Sequence, residues 1–306
     1  MVQVISHSTE SQTTVPVTSV QKVRADGIEI FYRAAGDPGS PVILLLHGFP
    51  TSSFMFRNLI PRLADRYRVI APDLPGFGFT LVPEERKYRY SFDALASTVE
   101  AFTDTLGLKQ YALYVFDYGA PTGFRLAMRH PERVTAIVSQ NGNAYEEGLG
   151  DAWGPIRKYW AEPTEANRDV IRQNVLTYEG TRRQYTHGVA NPEKVAPESY
   201  TLDTALLERP GNKDIQLDLF LDYASNVKLY PKFQEYLRSS KPPTLAIWGK
   251  NDPFFIPAGA EAFRKDVPDA QIHFLDTGHF AIETHVVEIA SAIRDFLSAN
   301  GATNIR

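Results

Sequence analysis

The chain has 306 residues, 43% hydrophobic and 22% charged, a composition that supports a large buried core and argues against wholesale disorder. Its net charge of −4 carries no electrostatic footprint for DNA or RNA. The absence of cysteine excludes disulfides, thiol nucleophiles, iron–sulfur clusters and Cys-based zinc sites, so any chemistry falls to oxygen, nitrogen and carboxylate groups.

Residues 1–20 are rich in Ser, Thr and Gln and lack the basic and apolar regions of a secretory leader, so they read as a mobile arm. No apolar run reaches the roughly 18–20 residues that cross a bilayer. The expectation is a cytoplasmic protein with no membrane contact. Strand signals at residues 22–24 and 28–33 flank Asp26-Gly27, a hairpin dipeptide. Residues 41–47 form a continuous apolar run of strand length, as in a strand buried on both faces. Apolar Phe56, Leu59, Ile60 and Leu63 predict a helix of ten or so residues over 54–65. A short strand follows at 69–71, then a helix capped by Ser91 and running to Leu106. The next elements are a strand at 112–116, a helix at 121–129 and a strand at 134–139.

From Asn141 to Ser240 the chain turns polar, aromatic-rich and helical. Strand signals return at 243–248 and 271–275, with a helix near 258–265 between them and a final helix over 286–298. Alternating strands and helices predict an α/β architecture: a mostly parallel eight-stranded sheet with helices on both faces and a helical cap inserted after strand 6. The expected division is an arm at 1–20, core at 21–140, cap at 141–240, core again at 241–299 and a tail at 300–306. The cap should overlie the carboxyl ends of the strands, where open α/β sheets bind ligands.

Three segments at such ends carry chemistry. Val115-Phe116-Asp117-Tyr118-Gly119 joins a strand to a helix, the setting of a nucleophile held on a sharp turn relieved by small Gly119 and Ala120. Read alone, Asp117 is better explained as an N-cap of the next helix. Trp248-Gly249-Lys250-Asn251-Asp252-Pro253 offers a carboxylate that could orient an imidazole, or simply an Asx turn. His279, one of seven histidines, follows the last strand through a turn at Gly278. The order Asp117, Asp252, His279 matches nucleophile, acid and base. His47-Gly48-Phe49-Pro50 and the Gly-rich turn at 72–78 follow the first two buried strands, and the former can supply an oxyanion-hole N–H.

With these motifs, residues 23–297 resemble the α/β-hydrolase superfamily, and within it the Asp-nucleophile branch of epoxide hydrolases and haloalkane dehalogenases. The resemblance implies attack by Asp117 on a saturated carbon and an oxyanion hole from the N–H groups of Phe49 and Tyr118. It further implies hydrolysis of the resulting ester by water activated at His279, with no metal or organic cofactor. Epoxide hydrolases of this fold use two cap tyrosines as proton donors. The segments Tyr159-Trp160-Ala161-Glu162-Pro163 and Leu221-Asp222-Tyr223-Ala224-Ser225-Asn226 resemble those that carry them, so Tyr159 and Tyr223 are the candidates and Tyr185 the reserve. Haloalkane dehalogenases usually place Trp after the nucleophile, where this chain has Tyr118, and one subgroup uses Asn where it has Phe49. Fluoroacetate dehalogenases use Arg after the nucleophile. Val115 and Thr51-Ser52-Ser53 look more like the haloalkane group, and Trp153 or Trp160 could hold a halide from the cap. The epoxide reading is preferred over dehalogenation. A non-catalytic receptor is the third reading, which the complete Asp–Asp–His set opposes. The aromatic residues Phe116, Trp153 and Trp160, with Phe49 and Tyr118, predict a pocket for a small apolar substrate, in a monomer or homodimer.

Overall fold

The computed structural model describes residues 16–301. Asp26 and Gly27, at φ 53° and 71°, turn the chain between strands β1 (Ser19–Ala25) and β2 (Ile28–Ala35), which pair antiparallel. Ser19 and Val20, expected at the end of the arm, belong to β1. Their side chains are exposed and they are held mainly by backbone pairing with Ala34 and Arg33, so their composition resembles that of a loop. Residues 1–15 of the expected arm and 302–306 of the expected tail lie outside the described residues.

Next come β3 (Val42–Leu46), a 3-10 turn (Ser53–Phe56) and the single-turn helix α1 (Ile60–Leu63). One helix was expected over 54–65. Pro61 has no N–H to bond back to the preceding turn, so the segment divides in two. The chain continues through β4 (Arg68–Pro72), α2 (Phe92–Thr105), β5 (Tyr111–Phe116), α3 (Gly119–Arg129) and β6 (Val134–Gln140). Ser91 caps α2 as expected, its hydroxyl accepting from the Ala94 N–H. Five helices follow: α4 (Gly154–Ala161), α5 (Glu165–Asn174), α6 (Tyr178–Thr186), α7 (Pro197–Leu207) and α8 (Asn212–Ser240). The last elements are β7 (Thr244–Gly249), α9 (Pro257–Ala262), β8 (Gln271–Leu275), α10 (Ala281–Thr284) and α11 (Val286–Ala299).

The eight strands form one sheet in the order β1-β2-β4-β3-β5-β6-β7-β8. β2 runs antiparallel to both its neighbours, and every pairing from β4 to β8 is parallel. This is the expected architecture, with the helical insertion after β6. Alternation within the apolar strands feeds two cores. Leu44, Leu46, Leu113 and Val115 pack on one face, while Ile43, Leu45, Ala112 and Tyr114 pack on the other. Each buried Leu or Ile there contributes about 1.5–3 kcal/mol, and helices must cover both faces to realise it. Because the strands are parallel, their carboxyl ends share one edge, beneath α4 to α8.

The first ten residues after β6 side with the core rather than with the cap expected from residue 141. Asn141 bonds to the loop after β7, and Leu149 bridges to Phe255 in the same loop. Among the described residues no helix is long and apolar enough to cross a membrane.

Candidate active site

The loop after β3 and the loop after β4 are pinned together before any reactive group is placed. His47 is fully buried and accepts from the Leu74 N–H at Nε2 (2.9 Å), while its Nδ1 lies 2.9 Å from the Gly48 carbonyl. Burial holds its pKa below the usual value, so the imidazole is neutral and Nδ1–H donates to Gly48. Asp73 accepts from the Ser53 and Phe79 N–H groups at 2.7 and 2.8 Å. These motif residues shape the loops and leave the chemistry to others.

Asp117 stands on the turn between β5 and α3 with φ 47°, a conformation unusual for a residue with a side chain. The turn closes only because neighbouring positions are small. A Cβ on Gly119 would lie 2.2 Å from the Leu46 carbonyl oxygen, and one on Gly48 would lie 2.3 Å from Asp117 Oδ1. Asp117 Oδ1 accepts from the Phe49 N–H at 2.6 Å, and the Tyr118 N–H also supports the carboxylate. Asp117 Oδ2 lies 4.0 Å from His279 Nε2, and His279 Nδ1 lies 2.7 Å from Asp252 Oδ2. Asp252 in turn accepts from the Phe254 N–H at Oδ1 (2.7 Å) and from Asn141 Nδ2 at Oδ2 (2.8 Å). The three predicted residues thus form one connected set at the carboxyl ends of β5, β7 and β8.

Asn141 was not singled out in the sequence. It adopts φ 45° directly after β6, accepts from the Gly249 N–H at 2.9 Å and donates to Asp252, clamping β6 to β7. The available signal was a polar residue tolerant of positive φ at the carboxyl end of a buried strand. Gln140 contributes as well: it takes the Tyr114 hydroxyl at Oε1 and donates to the His279 carbonyl at 3.4 Å.

Burial pushes the Asp117 carboxyl up to about 6, although His279 and the two N–H groups pull the other way. Burial opposes the His279 cation, but the Asp252 charge and hydrogen bond, with Asp117 behind them, hold its pKa above the usual imidazole value. The Asp117 shift has a stability consequence. A carboxyl raised in the folded state contributes stability that is complete below its unfolded pKa and lost as the pH rises through about 6. At pH 8 the full cost, about 3 kcal/mol, is present. Asp117→Asn does not titrate and should therefore melt at higher temperature than wild type at pH 8, the difference closing toward pH 4. Equal melting temperatures at pH 8 would contradict the buried-charge account.

Above this set lies a cavity of about 340 Å³, with Asp117, His279, Phe49 and Tyr118 below and residues of α4, α5 and α6 around it. Trp153 lines it, as expected. Its indole N–H, however, donates to the Phe254 carbonyl (3.0 Å), and that of Trp160 donates to the Phe220 carbonyl (2.7 Å). Trp160 packs behind the wall, 5.7 Å from Trp153 between ring centroids. Phe116, also expected in the pocket, is instead wholly buried against His279 at 4.6 Å, because it points to the opposite sheet face from Val115. The cap tyrosines do not line the cavity. Tyr159 takes a hydrogen bond from Arg168 (3.1 Å). Tyr223 shares one with Tyr230 (3.3 Å), which also receives one from Asn143 (3.3 Å). Tyr185 donates to Asp203 (2.5 Å) and stacks on Phe280 at 3.7 Å. The resemblance of their segments put Tyr159 and Tyr223 forward as cap residues but could not tell which face of each helix looks down.

Comparison with known proteins agrees with this architecture. Residues 41–286 match the family model of the alpha/beta hydrolase fold. An uncharacterised hydrolase of Saccharomyces cerevisiae is 53% identical over 280 residues, covering 90% of this chain and 95% of the yeast protein. A cis-3-alkyl-4-alkyloxetan-2-one decarboxylase of Shewanella oneidensis is 30% identical, covering 89% of this chain and 86% of its own. The haloalkane dehalogenase DatA of Agrobacterium tumefaciens superposes with a TM-score of 0.76 at 23% identity over 92% of this chain and 97% of DatA, a likeness of fold alone. Epoxide hydrolases stand among the other solved neighbours, so the fold is shared by both chemistries and does not choose between them. On the family match and the full-length relatives, the chain belongs to the α/β-hydrolase family and is a hydrolase of that family.

Proposed function

We propose that the protein hydrolyses a small apolar epoxide to a diol through a covalent ester on Asp117. The observation that carries this reading is a carboxylate, rather than a hydroxyl, on the strained turn, with one oxygen held by N–H donors and the other facing the Asp252-backed imidazole. Asp117 Oδ2, the oxygen not held by Phe49, attacks an epoxide carbon, and the ring C–O bond breaks as its electron pair moves to oxygen. Tyr223, outside the cavity lining with its hydroxyl on Tyr230, is the phenol this reading assigns to turn toward that oxygen and protonate it. Burial keeps its pKa well above the usual value, with the Tyr230 hydroxyl and the Asp117 charge adding to the effect, so it stays protonated. In the second step His279 Nε2 removes a proton from water, which attacks the ester carbonyl of Asp117. Negative charge develops on Oδ1, which already accepts from the Phe49 N–H, with the Tyr118 N–H also supporting the carboxyl group. Collapse releases the diol, whose oxygen is protonated by the His279 cation, and the proton left on the Asp117 carboxyl returns to the Tyr223 phenolate. Esterification also removes the Asp117 charge that favoured that cation, so it shifts His279 toward the neutral form that can act as a base.

A single turnover of styrene oxide in heavy-oxygen water tests the scheme. The label should appear in the Asp117 carboxylate and be absent from the first-formed diol. Adduct formation should slow as the pH falls through about 6, because the nucleophile must be ionised. Label in the first diol would mean direct attack by water and would overturn the ester. Halide displacement by the same two steps is less well supported, since both cap indoles that could hold a halide donate to backbone carbonyls instead. A second strained oxygen ring, the oxetan-2-one, is favoured by the full-length relative that acts on one. Its opening releases a carboxylate, which needs no proton from the cap. Substrate trials should therefore set alkyl oxetan-2-ones beside epoxides, haloalkanes and short esters.

A further inference from the structure

The roof of the cavity contains a donor that the scheme above does not use. Helix α6 is capped by Thr177, whose hydroxyl accepts from the Gly180 N–H at 3.1 Å. Gly180, Arg183 and Gln184, at helical spacings of three and four, share the face that lines the cavity. Thr181 and Tyr185 lie on a buried face, and Tyr185 locks the helix by stacking on Phe280, the residue after His279, while bonding to Asp203. The position of Gln184 over the reactive set is therefore anchored through the neighbour of the catalytic base.

Gln184 is only 6% exposed, and its amide nitrogen has no hydrogen-bond partner among the described residues. Two other neutral donors of the wall are engaged, Asn174 Nδ2 with the Val170 carbonyl at 2.7 Å and Trp153 Nε1 with the Phe254 carbonyl at 3.0 Å, while in the floor the Tyr118 hydroxyl also has no partner among the described residues. A buried N–H without an acceptor costs about 1–3 kcal/mol, a cost removed when a ligand supplies the acceptor. We propose that the Gln184 side chain turns its closed-off amide nitrogen into the cavity to receive the reacting oxygen of the substrate, orienting it above Asp117 and defining the preferred substrate as an apolar molecule with an acceptor oxygen at its reacting end. A carboxamide is uncharged and does not titrate, so it orients an acceptor oxygen without transferring a proton. The substrate class rests on the epoxide reading, whereas the hydrogen bond itself can be judged without turnover.

The test compares wild type with Gln184→Met, which keeps the length and removes the donor. Binding of acetophenone and of ethylbenzene, matched in shape but differing in the acceptor, is followed by tryptophan fluorescence or calorimetry. Wild type should prefer the ketone about 10-fold or more, and Gln184→Met should lose that preference while binding ethylbenzene at least as well, which shows the cavity intact. In a His279→Gln background, single-turnover alkylation by styrene oxide should slow about 100-fold on adding Gln184→Met. A ketone preference absent from wild type, or retained in Gln184→Met, overturns the assignment. If the preference vanishes in Gln184→Met but no epoxide alkylates the parent, the Gln184 contact stands and the epoxide reading falls.

Discussion

His279→Gln should stop turnover at the ester and leave the protein heavier by the mass of one epoxide. The argument follows from the separate tasks of the two steps. Alkylation needs the Asp117 carboxylate, which the substitution leaves in place with the Phe49 N–H on its Oδ1. Hydrolysis needs a base within reach of the Asp117 carbonyl, the role the proposed scheme gives to His279 Nε2, 4.0 Å from Oδ2. A glutamine amide can still donate to Asp252 but cannot take a proton from water. Steady-state turnover should fall about 10⁴-fold, and intact-protein mass spectrometry should show stoichiometric adduct on Asp117. Turnover within 10-fold of wild type would remove His279 from the mechanism. A variant that is dead yet unmodified by a substrate of the wild type would remove the ester.

Arg57→Met should destabilise the fold by about 3–5 kcal/mol, a drop of about 5–8 °C in melting temperature for a chain of this size. Arg57 follows the 3-10 turn Ser53–Phe56 and grips Glu283 of α10 with two hydrogen bonds, at 3.0 and 2.7 Å. It also donates to Ser199 of cap helix α7 at 2.9 Å and stacks on Phe54 at 4.5 Å. The Glu283 side chain is only 3% exposed, so removing the guanidinium leaves a buried carboxylate without its counter-ion. Asp203, buried alongside and pushed well above the usual carboxylate range by that burial, would lose a compensating charge as well. Pairing Arg57→Met with Glu283→Leu should recover most of the loss, because the cost lies in the orphaned charge. A single variant within 1 kcal/mol of wild type would mean that the pair does not hold cap to core.

Much of the framework could be read from the sequence because buried parallel strands are written as apolar runs. Val42–Leu46, Tyr111–Phe116 and Thr244–Gly249 stand out for that reason, and so does the helix capped by Ser91. The grouping of Asp117, Asp252 and His279 was legible because they lie just past such strands, and parallel strands bring their carboxyl ends together whatever the length of chain between them. The start of β1 was not legible, since Ser19 and Val20 pair through the backbone while their side chains face outward. Asn141 was missed because a polar residue at the junction of core and insertion looks like the first residue of a loop.

The pocket departed furthest from expectation. Phe116, Trp160, Tyr159 and Tyr185 have suitable chemistry, yet each turns its ring or hydroxyl to another partner. In a short cap helix, burial on either face produces the same aromatic spacing. Only the docking of α4 to α8 onto the sheet decides which face looks into the cavity, and that docking put Gln184 rather than a predicted tyrosine in the roof. By itself, the sequence determined an α/β sheet, an Asp–Asp–His set and freedom from thiol chemistry, because these depend on residue type and order along the chain. The tertiary structure decided the clamp at Asn141, the engaged indoles and the unpartnered amide of Gln184, because hydrogen bonds between distant segments depend on orientations that no local pattern encodes.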